Sequence, residues 1–495
     1  MQAEQASHTF LPNNPFVPPK DGICLINNLP LELLSYIFTF GSTDDGAFAE
    51  SESSNVSLPF TFIVSHVCRR WRNIALLTPS FWTTIVVTPE ARPLYERVST
   101  LLERSKNLPI DIIVNCDLDE CDDVSKLPSP ADFEFLLAML IPHIHRWQTL
   151  EVTVSKEELM QELLSAVSDP SVPAASQLMI LELYDLEHTV PYDGLPYFHV
   201  SKHLTLFGGS APLLTRIVLW GVHIDWDQPW IASASNLTDL VLAYHPETAR
   251  PSLAQFSAIL RNAPALEKLY LRQSGPARDH PAWLMEPSSP VDFDTPIQLA
   301  RLTDFNLAFN VQEHATWLMR SFTFPALKNL VLDFDSGDYT EFVEELARSA
   351  PSLSASQASC SLLNGLESLK IAGLHCSNEC IKTLYGELQN LRSLNLSLSY
   401  LDPLFLDILS TPCTLPERGN IWLPRLATLY LCGTSGRALR ELVSKRREVG
   451  APLSSLFVEE ACDVDDGDVE WFKENVKSFD DAGDDSGLNE DVNED

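Results

Sequence analysis

LPLELLSYIF at residues 29–38 and LPFTFIVSHVCRRWRNIALLTPSFW at residues 58–82 are two apolar segments separated by a polar insert. Pro30 suits the first turn of a helix, where its missing N–H costs nothing, and apolar residues then recur at helical spacing up to Phe38. In the second segment an apolar stripe runs from Val64 to Ala75, and Pro79 ends the helix. The spacing predicts two or three short amphipathic helices, a unit too small to cover its own apolar faces.

Together, in this order, the two segments resemble an F-box of the branch that is abundant in fungi. The matching residues are Leu29-Pro30, Glu32, Leu34, Ile37-Phe38, Val67-Cys68-Arg69-Arg70-Trp71, Ile74-Ala75 and Thr78-Pro79-Ser80-Phe81-Trp82. The insert from Gly41 to Pro59 departs from the family by lengthening the loop after the first helix. Spacing alone fits an ordinary helical pair in a core equally well. The Leu-Pro start combined with the Val-Cys-Arg-Arg-Trp block favours the F-box.

Partners follow from this resemblance. In F-box proteins these helices dock on the Skp adaptor of SCF-type (Skp–cullin–F-box) ubiquitin ligases. The resemblance therefore implies the Skp adaptor and, through it, a cullin scaffold as partners. It places adaptor binding on Leu29, Pro30, Leu33, Leu34, Ile37, Phe38, Val67, Cys68 and Trp71.

Composition excludes several classes of protein. The ten cysteines are scattered, which suits a reducing compartment, and residues 1–20 are polar and proline-rich rather than a charged-then-apolar leader. The apolar run from Phe133 to Ile141 is too short to span a bilayer. A net charge of −34 argues against binding to a nucleic-acid backbone. We predict an intracellular protein, cytoplasmic and/or nuclear, with no nucleic-acid and no membrane partner.

A pattern of apolar-x-x-apolar-x-apolar recurs eleven times, more than the three or so repeats that a solenoid needs. The copies begin at Trp147, Leu178, Leu214, Leu237, Leu266, Leu302, Leu327, Leu366, Leu391, Leu426 and Leu453. Helical patterns lie between them, such as Leu253 to Asn262 and Gly436 to Glu448. Right-handed crossovers would stack the strands in parallel. The fold class predicted is α/β: a small all-α F-box followed by a solenoid with a curved parallel sheet and helices outside.

These repeats resemble an irregular leucine-rich repeat from Trp147 to Val458. Only Asn310 fits the position where that family carries a ladder of Asn or Cys. Side chains between the leucines are expected on the concave face, because side chains alternate along a strand. We therefore assign target binding to that face, with Arg216, Lys268, Tyr270, Asn306, Lys370, Asn395 and Tyr430 as candidates. The same composition also fits any solvated sheet face.

The domain organisation follows from these patterns. We predict a disordered N terminus at 1–22, the F-box at 23–83, a linker or capping region at 84–146, the repeat domain at 147–460 and a largely disordered acidic segment at 461–495. Within the linker, Ile85 to Val87 and Leu108 to Val114 are candidate strands. The acidic segment is either solvated or a surface that steers basic partners.

No catalytic constellation is found. His375, Cys376 and Cys380 come closest to a metal-ligand group, but no fourth ligand suggests itself and core packing is favoured. The glycine pairs lack the spacing and Lys of a phosphate loop, and no nucleophile elbow is present. We predict no catalytic residue, no metal and no cofactor.

The leading hypothesis is a non-catalytic substrate-recognition subunit of an SCF-type ubiquitin ligase, which binds the Skp adaptor through the F-box and an unknown target protein through the repeats. Its mechanism would be proximity, because it raises the effective concentration of target lysines near the transferase. The alternative is a repeat scaffold or regulator in which the F-box helices act as a cap. An undetected enzyme is a third possibility, which would require titratable residues gathered in a pocket.

Overall fold

A computed structural model describes residues 25–43, 60–89, 94–118, 127–188, 204–277, 296–335, 337–348, 361–413, 421–459 and 462–481. The chain divides into two compact units. The first comprises the residues up to Ile85 together with Glu96–Ile110, and the second comprises Val86–Tyr95 together with Asp111 onward. The predictions for the N terminus, for most of the insert and for the end of the acidic segment fall outside the described residues.

Four helices belong wholly or mainly to the first unit: α1 (Leu31–Thr43), α2 (Phe60–Val67), α3 (Arg69–Leu77) and α4 (Leu94–Arg104). The stripe predicted in the second segment is divided between α2 and α3. The break falls at Cys68, whose backbone is extended (φ −157°) and whose sulfur accepts the N–H of Trp71 at 3.5 Å. Cys68 is therefore the N-cap of α3, because its backbone is not helical and its side chain accepts a hydrogen bond from the first turn. A second helix thus begins after it.

The core of the first unit forms around the ring of Phe38. This ring lies 4.7 Å from that of Trp71 and 6.2 Å from that of Phe81, and Leu34 is buried one helical turn before it. Leu34 and Phe38 share one face of α1 because they are four residues apart. These two side chains hold α1 against α3 and the turn that follows it.

Trp82 anchors the C-terminal side of the same unit. The side chain is fully buried and its Nε1 donates to the carbonyl oxygen of Ala75 at 2.8 Å. The guanidinium of Arg104 lies over the indole ring at 4.4 Å. Helix α4, which lies beyond the predicted F-box boundary at residue 83, therefore packs with this unit from residue 96 onward.

The sheet of the chain contains fourteen strands in the order β1-β2-β3-β4-β5-β6-β7-β9-β11-β12-β13-β14-β15-β16, and β8 pairs separately with β10. Each neighbouring pair from β3 to β16 is parallel. The strands are β1 (Thr84–Val87), β2 (Ile110–Cys116), β3 (Trp147–Val154), β4 (Ile180–Asp185), β5 (Arg216–Trp220), β6 (Asp239–Ala243), β7 (Lys268–Arg272), β8 (Ile297–Gln298), β9 (Asp304–Ala308), β10 (Phe322–Thr323), β11 (Asn329–Asp333), β12 (Ser368–Ala372), β13 (Ser393–Ser397), β14 (Thr428–Cys432), β15 (Ser455–Val458) and β16 (Ser478–Asp481).

Helices alternate with these strands, as the repeat pattern predicts. They are α5 (Pro130–Leu140), α6 (Glu157–Ala166), α7 (Pro229–Ala232), α8 (Leu253–Asn262), α9 (Gln312–Ser321), α10 (Thr340–Ala347), α11 (Asn378–Glu387), α12 (Leu404–Leu409), α13 (Gly436–Glu448) and α14 (Asp466–Asn475). The bounds of α8 and α13 match the sequence prediction. Helix α5 changes to a 3-10 turn at Ile141–Arg146, where Pro142 lacks the N–H that an α-helix would use.

All eleven predicted repeats form strands of the main sheet, so the predicted parallel α/β solenoid is confirmed. In β6, for example, Leu240 and Leu242 are buried while Asp239 and Val241 face the other side. From the second repeat onward the strand begins two residues after the first apolar residue of the motif. That first apolar residue is nevertheless buried, as Leu237 shows with no exposed surface.

The sheet extends beyond the predicted repeats at both ends. Strands β1 and β2 come from the predicted linker, and α14 and β16 come from the segment predicted to be largely disordered. That last prediction is wrong for residues 466–481. Phe472 is buried and its ring stacks on that of Phe479 at 5.2 Å, so apolar residues among the acidic ones continue the repeat.

Three adjacent repeats carry a short polar ladder where the leucine-rich-repeat family has Asn. Nδ1 of His245 pairs with the hydroxyl of Ser274 at 2.8 Å, and its Nε2 with the carbonyl oxygen of Val222 at 3.0 Å. The amide of Asn310 donates to the carbonyl oxygens of Leu271 and Ala308. Buried backbone oxygens need such partners, and here residues other than Asn also supply them.

Candidate functional site

Helix α1 carries apolar residues on two opposite sides. Leu34 and Phe38 form the buried side. The other side presents Leu33, Tyr36, Ile37 and Phe40, which are 50%, 70%, 45% and 67% exposed. Their spacing is i, i+3, i+4 and i+7, which is the spacing by which one helix face fits an apolar groove. We call these four residues the α1 stripe.

Exposed apolar side chains are concentrated in the first unit. Among the described residues, nine of the sixteen large apolar side chains that are exposed lie between Leu31 and Leu77. Besides the α1 stripe they are Leu31, Ile63, Val67, Leu76 and Leu77. Single exposed apolar residues are ordinary, but such a concentration marks an interaction surface.

The nine predicted adaptor-binding residues differ in accessibility. Pro30, Leu33, Ile37, Val67 and Cys68 are exposed, whereas Leu29 and Trp71 are half-buried. Leu34 and Phe38 are buried inside the unit, so they position α1 rather than present a surface. The guanidinium of Arg70 donates to the carbonyl oxygen of Leu29 at 2.5 Å, which ties the chain before α1 to α3. The sequence comparison with a family motif does not separate these two roles.

On the second unit, the sheet face opposite the core is called here the open face. The side chains predicted for target binding lie on the open face, at the strand positions that alternate with the buried leucines. All but two of them are half-buried. Lys268 is exposed and Tyr270 is buried. The register places Tyr270 beside Asn306, and Lys370, Asn395 and Tyr430 side by side on consecutive strands.

Two of the predicted cationic residues are already engaged within the chain. The Nε of Arg216 is 2.6 Å from a carboxylate oxygen of Glu182, and Lys268 is 3.7 Å from Asp239. Beside them, the pKa of Glu151 is raised because the carboxyl group is buried and lies near Glu182. The charges at this end of the open face therefore largely neutralise one another.

Several aromatic and cationic residues of the open face escape the sequence prediction. Phe457 stacks on the ring of Tyr430 at 4.4 Å, and Trp220, Arg272 and Phe309 lie at or just beyond the ends of strands. The signal was available, because the strand alternation that selects Tyr270 also selects Arg272 two residues later. The positions just beyond a strand carry no such periodic signal.

The chemistry of the described residues does not point to a metal centre. Within those residues, no group of three or more His, Cys, Asp or Glu is placed to hold a metal ion. In the candidate group His375, Cys376 and Cys380, burial raises the pKa of the Cys376 thiol to about 12, which keeps it protonated at neutral pH. No helix in the described segments is both long and apolar enough to cross a bilayer.

Comparison with protein families matches residues 26–88 to the F-box-like family, so this part of the chain is an F-box-like domain. The comparison with curated proteins gives no match. Among solved structures, the yeast Rad7 and Elc1 complex aligns with a TM-score of 0.36 at 13% identity, over 81% of this chain and 88% of that chain. A leucine-rich-repeat protein of Leptospira interrogans aligns with a TM-score of 0.25 at 11% identity, over 82% of this chain and 91% of that chain.

These findings define the class of protein. The chain joins an F-box-like domain to an α/β repeat domain built on a long parallel sheet. The two structural likenesses are weak, with TM-scores below 0.5. An F-box-like domain is typical of adaptor subunits of ubiquitin ligases.

Proposed function

We propose that this protein is a non-catalytic substrate-recognition subunit of an SCF-type ubiquitin ligase. The observation that carries the proposal is the α1 stripe, an exposed apolar face on the domain that matches the F-box-like family. Burying such a side chain fully stabilises a complex by roughly 1.5–3 kcal/mol, so a few of them supply the affinity of a specific interface.

The partner proposed for this surface is the Skp adaptor, with a cullin scaffold recruited through it in the cytoplasm or the nucleus. The α1 stripe, with Val67 and Cys68 exposed at the junction of α2 and α3, would contact a groove on the adaptor. Leu34 and Phe38 would act indirectly by holding α1 in place. Apolar contact of this kind requires no cofactor.

The repeat domain is proposed to hold the target protein on its open face. Half-buried polar and aromatic side chains on consecutive strands, such as Lys370, Asn395 and Tyr430, are suited to a protein interface because they are already partly ordered. Ubiquitin transfer would be carried out by an enzyme held elsewhere in the complex. The protein would contribute proximity, and no catalytic group of its own is needed.

Complex formation between the full chain and the purified Skp adaptor tests the proposal. We expect a 1:1 complex in isothermal titration calorimetry, with a negative heat-capacity change on binding because apolar surface is removed from water. Absence of binding at micromolar concentrations would contradict it, and would leave a repeat scaffold in which the F-box helices serve another purpose.

A further inference from the structure

Arg272 lies between two aromatic rings on the open face. Its guanidinium is 4.4 Å from the ring centroid of Phe309 and 5.6 Å from that of Tyr244. In the strand register its neighbours are Ala243 and Ala308, whose small side chains leave room on either side. The rings of Tyr244 and Phe309, each one residue beyond those alanines, occupy that room. The guanidinium is therefore held in one orientation and partly shielded from water.

The backbone at both rings is in a conformation that costs free energy. Tyr244 has φ 53° and Phe309 has φ 50°, in the left-handed region that bulky residues avoid. At the equivalent position after β5 and β12 the chain has glycine, with φ 69° at Gly221 and 61° at Gly373. Two repeats thus carry an aromatic residue where β5 and β12 are followed by glycine, and the turn after β7 carries a third non-glycine residue, Gln273, with φ 45°. Strain that persists in this way points to a role for the side chain.

Arg272 also has unused donors. Nη1 donates to the hydroxyl oxygen of Tyr270 at 3.3 Å, while Nε is buried without a partner. Among the described residues, none places a carboxylate within ion-pair distance of Arg272, unlike Arg216 on the same face. Nη2 makes no hydrogen bond among the described residues and, unlike Nε, is not buried, so the Nη1–Nη2 end of the guanidinium is the part that an acceptor from outside the chain can reach. A planar guanidinium binds a carboxylate through two parallel hydrogen bonds.

An unused acceptor and an aromatic platform lie beside this edge. Oδ1 of Asn306 is buried and has no hydrogen-bond partner. Asn306 is paired in the strand register with Tyr270, which precedes Arg272 by two residues on the same strand. The indole of Trp220 stacks parallel to the Tyr270 ring at 6.3 Å and lies 5.1 Å from the ring of Tyr244. A donor, an acceptor and an apolar surface are therefore present in one area.

We propose that this area binds an extended segment of the target protein through an Asp or Glu side chain. The carboxylate pairs with Arg272, a backbone N–H of the segment donates to Asn306, and a neighbouring aromatic side chain packs on Trp220. This inference rests on the proposed function only in taking the open face as the target surface.

The charges of the face favour a carboxylate over a phosphate. Among the described residues of the area, Lys268 is paired with Asp239 and Arg272 is the cation without a carboxylate partner, while the carboxylates of Asp304 and Asp333 stand on the next two strands. Asp333 is close enough to help raise the pKa of Arg272, against the effect of burial and together with the Tyr270 hydrogen bond. A dianionic phosphate would meet twice the repulsion of a carboxylate with the same single cation. Arginine clusters, not single arginines, usually bind phosphorylated motifs.

Selection from a displayed library of random twelve-residue peptides on the immobilised full chain tests the proposal. We expect enrichment of peptides with Asp or Glu next to Phe, Tyr or Trp. Affinity for a selected peptide, measured by fluorescence anisotropy, should fall about thirtyfold or more in Arg272→Gln and when the acidic residue of the peptide is changed to its amide. The matched control is Arg301→Gln, which removes an equal charge that is paired with Glu267 at 3.0 Å.

A second variant separates binding from stability. Tyr244→Gly/Phe309→Gly gives both turns the residue that β5 and β12 use, so thermal unfolding should show a folded protein while affinity for the selected peptide falls at least about tenfold. Four outcomes would each overturn the proposal. They are equal affinity of Arg272→Gln and the wild type for the selected peptide, selection of basic peptides, tighter binding of a phosphoserine analogue of the peptide, and no enrichment of any peptide. Adaptor binding by Arg272→Gln, measured in parallel, should equal that of the wild type, and it reports on the proposed function independently.

Discussion

The double substitution Leu33→Asp/Ile37→Asp will lower the affinity of the full chain for the Skp adaptor by at least about a hundredfold, because each anchor of an apolar interface costs about 2 kcal/mol or more when it is removed. A carboxylate at either position would also have to be desolvated in the groove. Both side chains are half-exposed, at 50% and 45%, so the substitutions leave the core of the first unit intact. Titration calorimetry measures the effect.

The matched control places the same charges on apolar residues outside the F-box-like domain that are at least as exposed. Tyr400 and Val449 are 67% and 53% exposed, so Tyr400→Asp/Val449→Asp adds the same charge to the second unit. We expect this variant to bind the adaptor as the wild type does. Unchanged affinity of the Leu33→Asp/Ile37→Asp variant would mean that the α1 stripe is not the docking surface.

Gly373→Ala will destabilise the repeat domain by about 3 kcal/mol or more. Its φ is +61°, which costs a residue with a Cβ about 1–3 kcal/mol. In addition, a Cβ built at this position would overlap the carbonyl oxygen of Phe334, in the neighbouring turn. That turn cannot retreat freely, because the N–H of Phe334 donates to the carbonyl oxygen of Ala372 at 3.0 Å. Urea unfolding of the full chain, followed by circular dichroism, measures the shift.

Gly450→Ala is the control that isolates the overlap from the backbone strain. Gly450 has a φ of +79°, but nothing lies within 4 Å of a Cβ built there. We expect the free energy of unfolding of this variant to fall only by the cost of the left-handed backbone conformation, about 1–2 kcal/mol. Equal losses in the two variants would contradict the close approach of neighbouring turns at Gly373.

The sheet was predictable from sequence because each repeat buries the same side-chain positions. The motif that begins at Leu237 gives Leu240 and Leu242 to the core, and the same rule holds in every repeat to β15. The continuation into β16 was missed because its surroundings are acidic, although Phe472 and Phe479 carry the apolar signal. The acidic composition of the surrounding residues concealed the buried ring of Phe472 and the half-buried ring of Phe479.

The candidate sites were predictable only in part. A motif comparison selects both Leu34, which is buried, and Leu33, which is exposed. The two lie on different sides of one helix, and spacing alone does not tell which side the domain covers. The surroundings of Arg272 depend on strand register and on the left-handed turns at Tyr244 and Phe309. Neither feature has a periodic signal in the sequence.

Hydrogen exchange of the full chain, with and without the Skp adaptor, tests most directly whether the F-box-like domain is a docking surface. In the free protein, we expect the amides of α1 to exchange faster than those of the central strands, because one side of this helix is exposed to solvent. Adding the adaptor should slow exchange in α1 and at the α2–α3 junction, with no change in β5 to β9. Full protection of α1 in the free chain, or protection gained on the sheet instead, would contradict the proposed role.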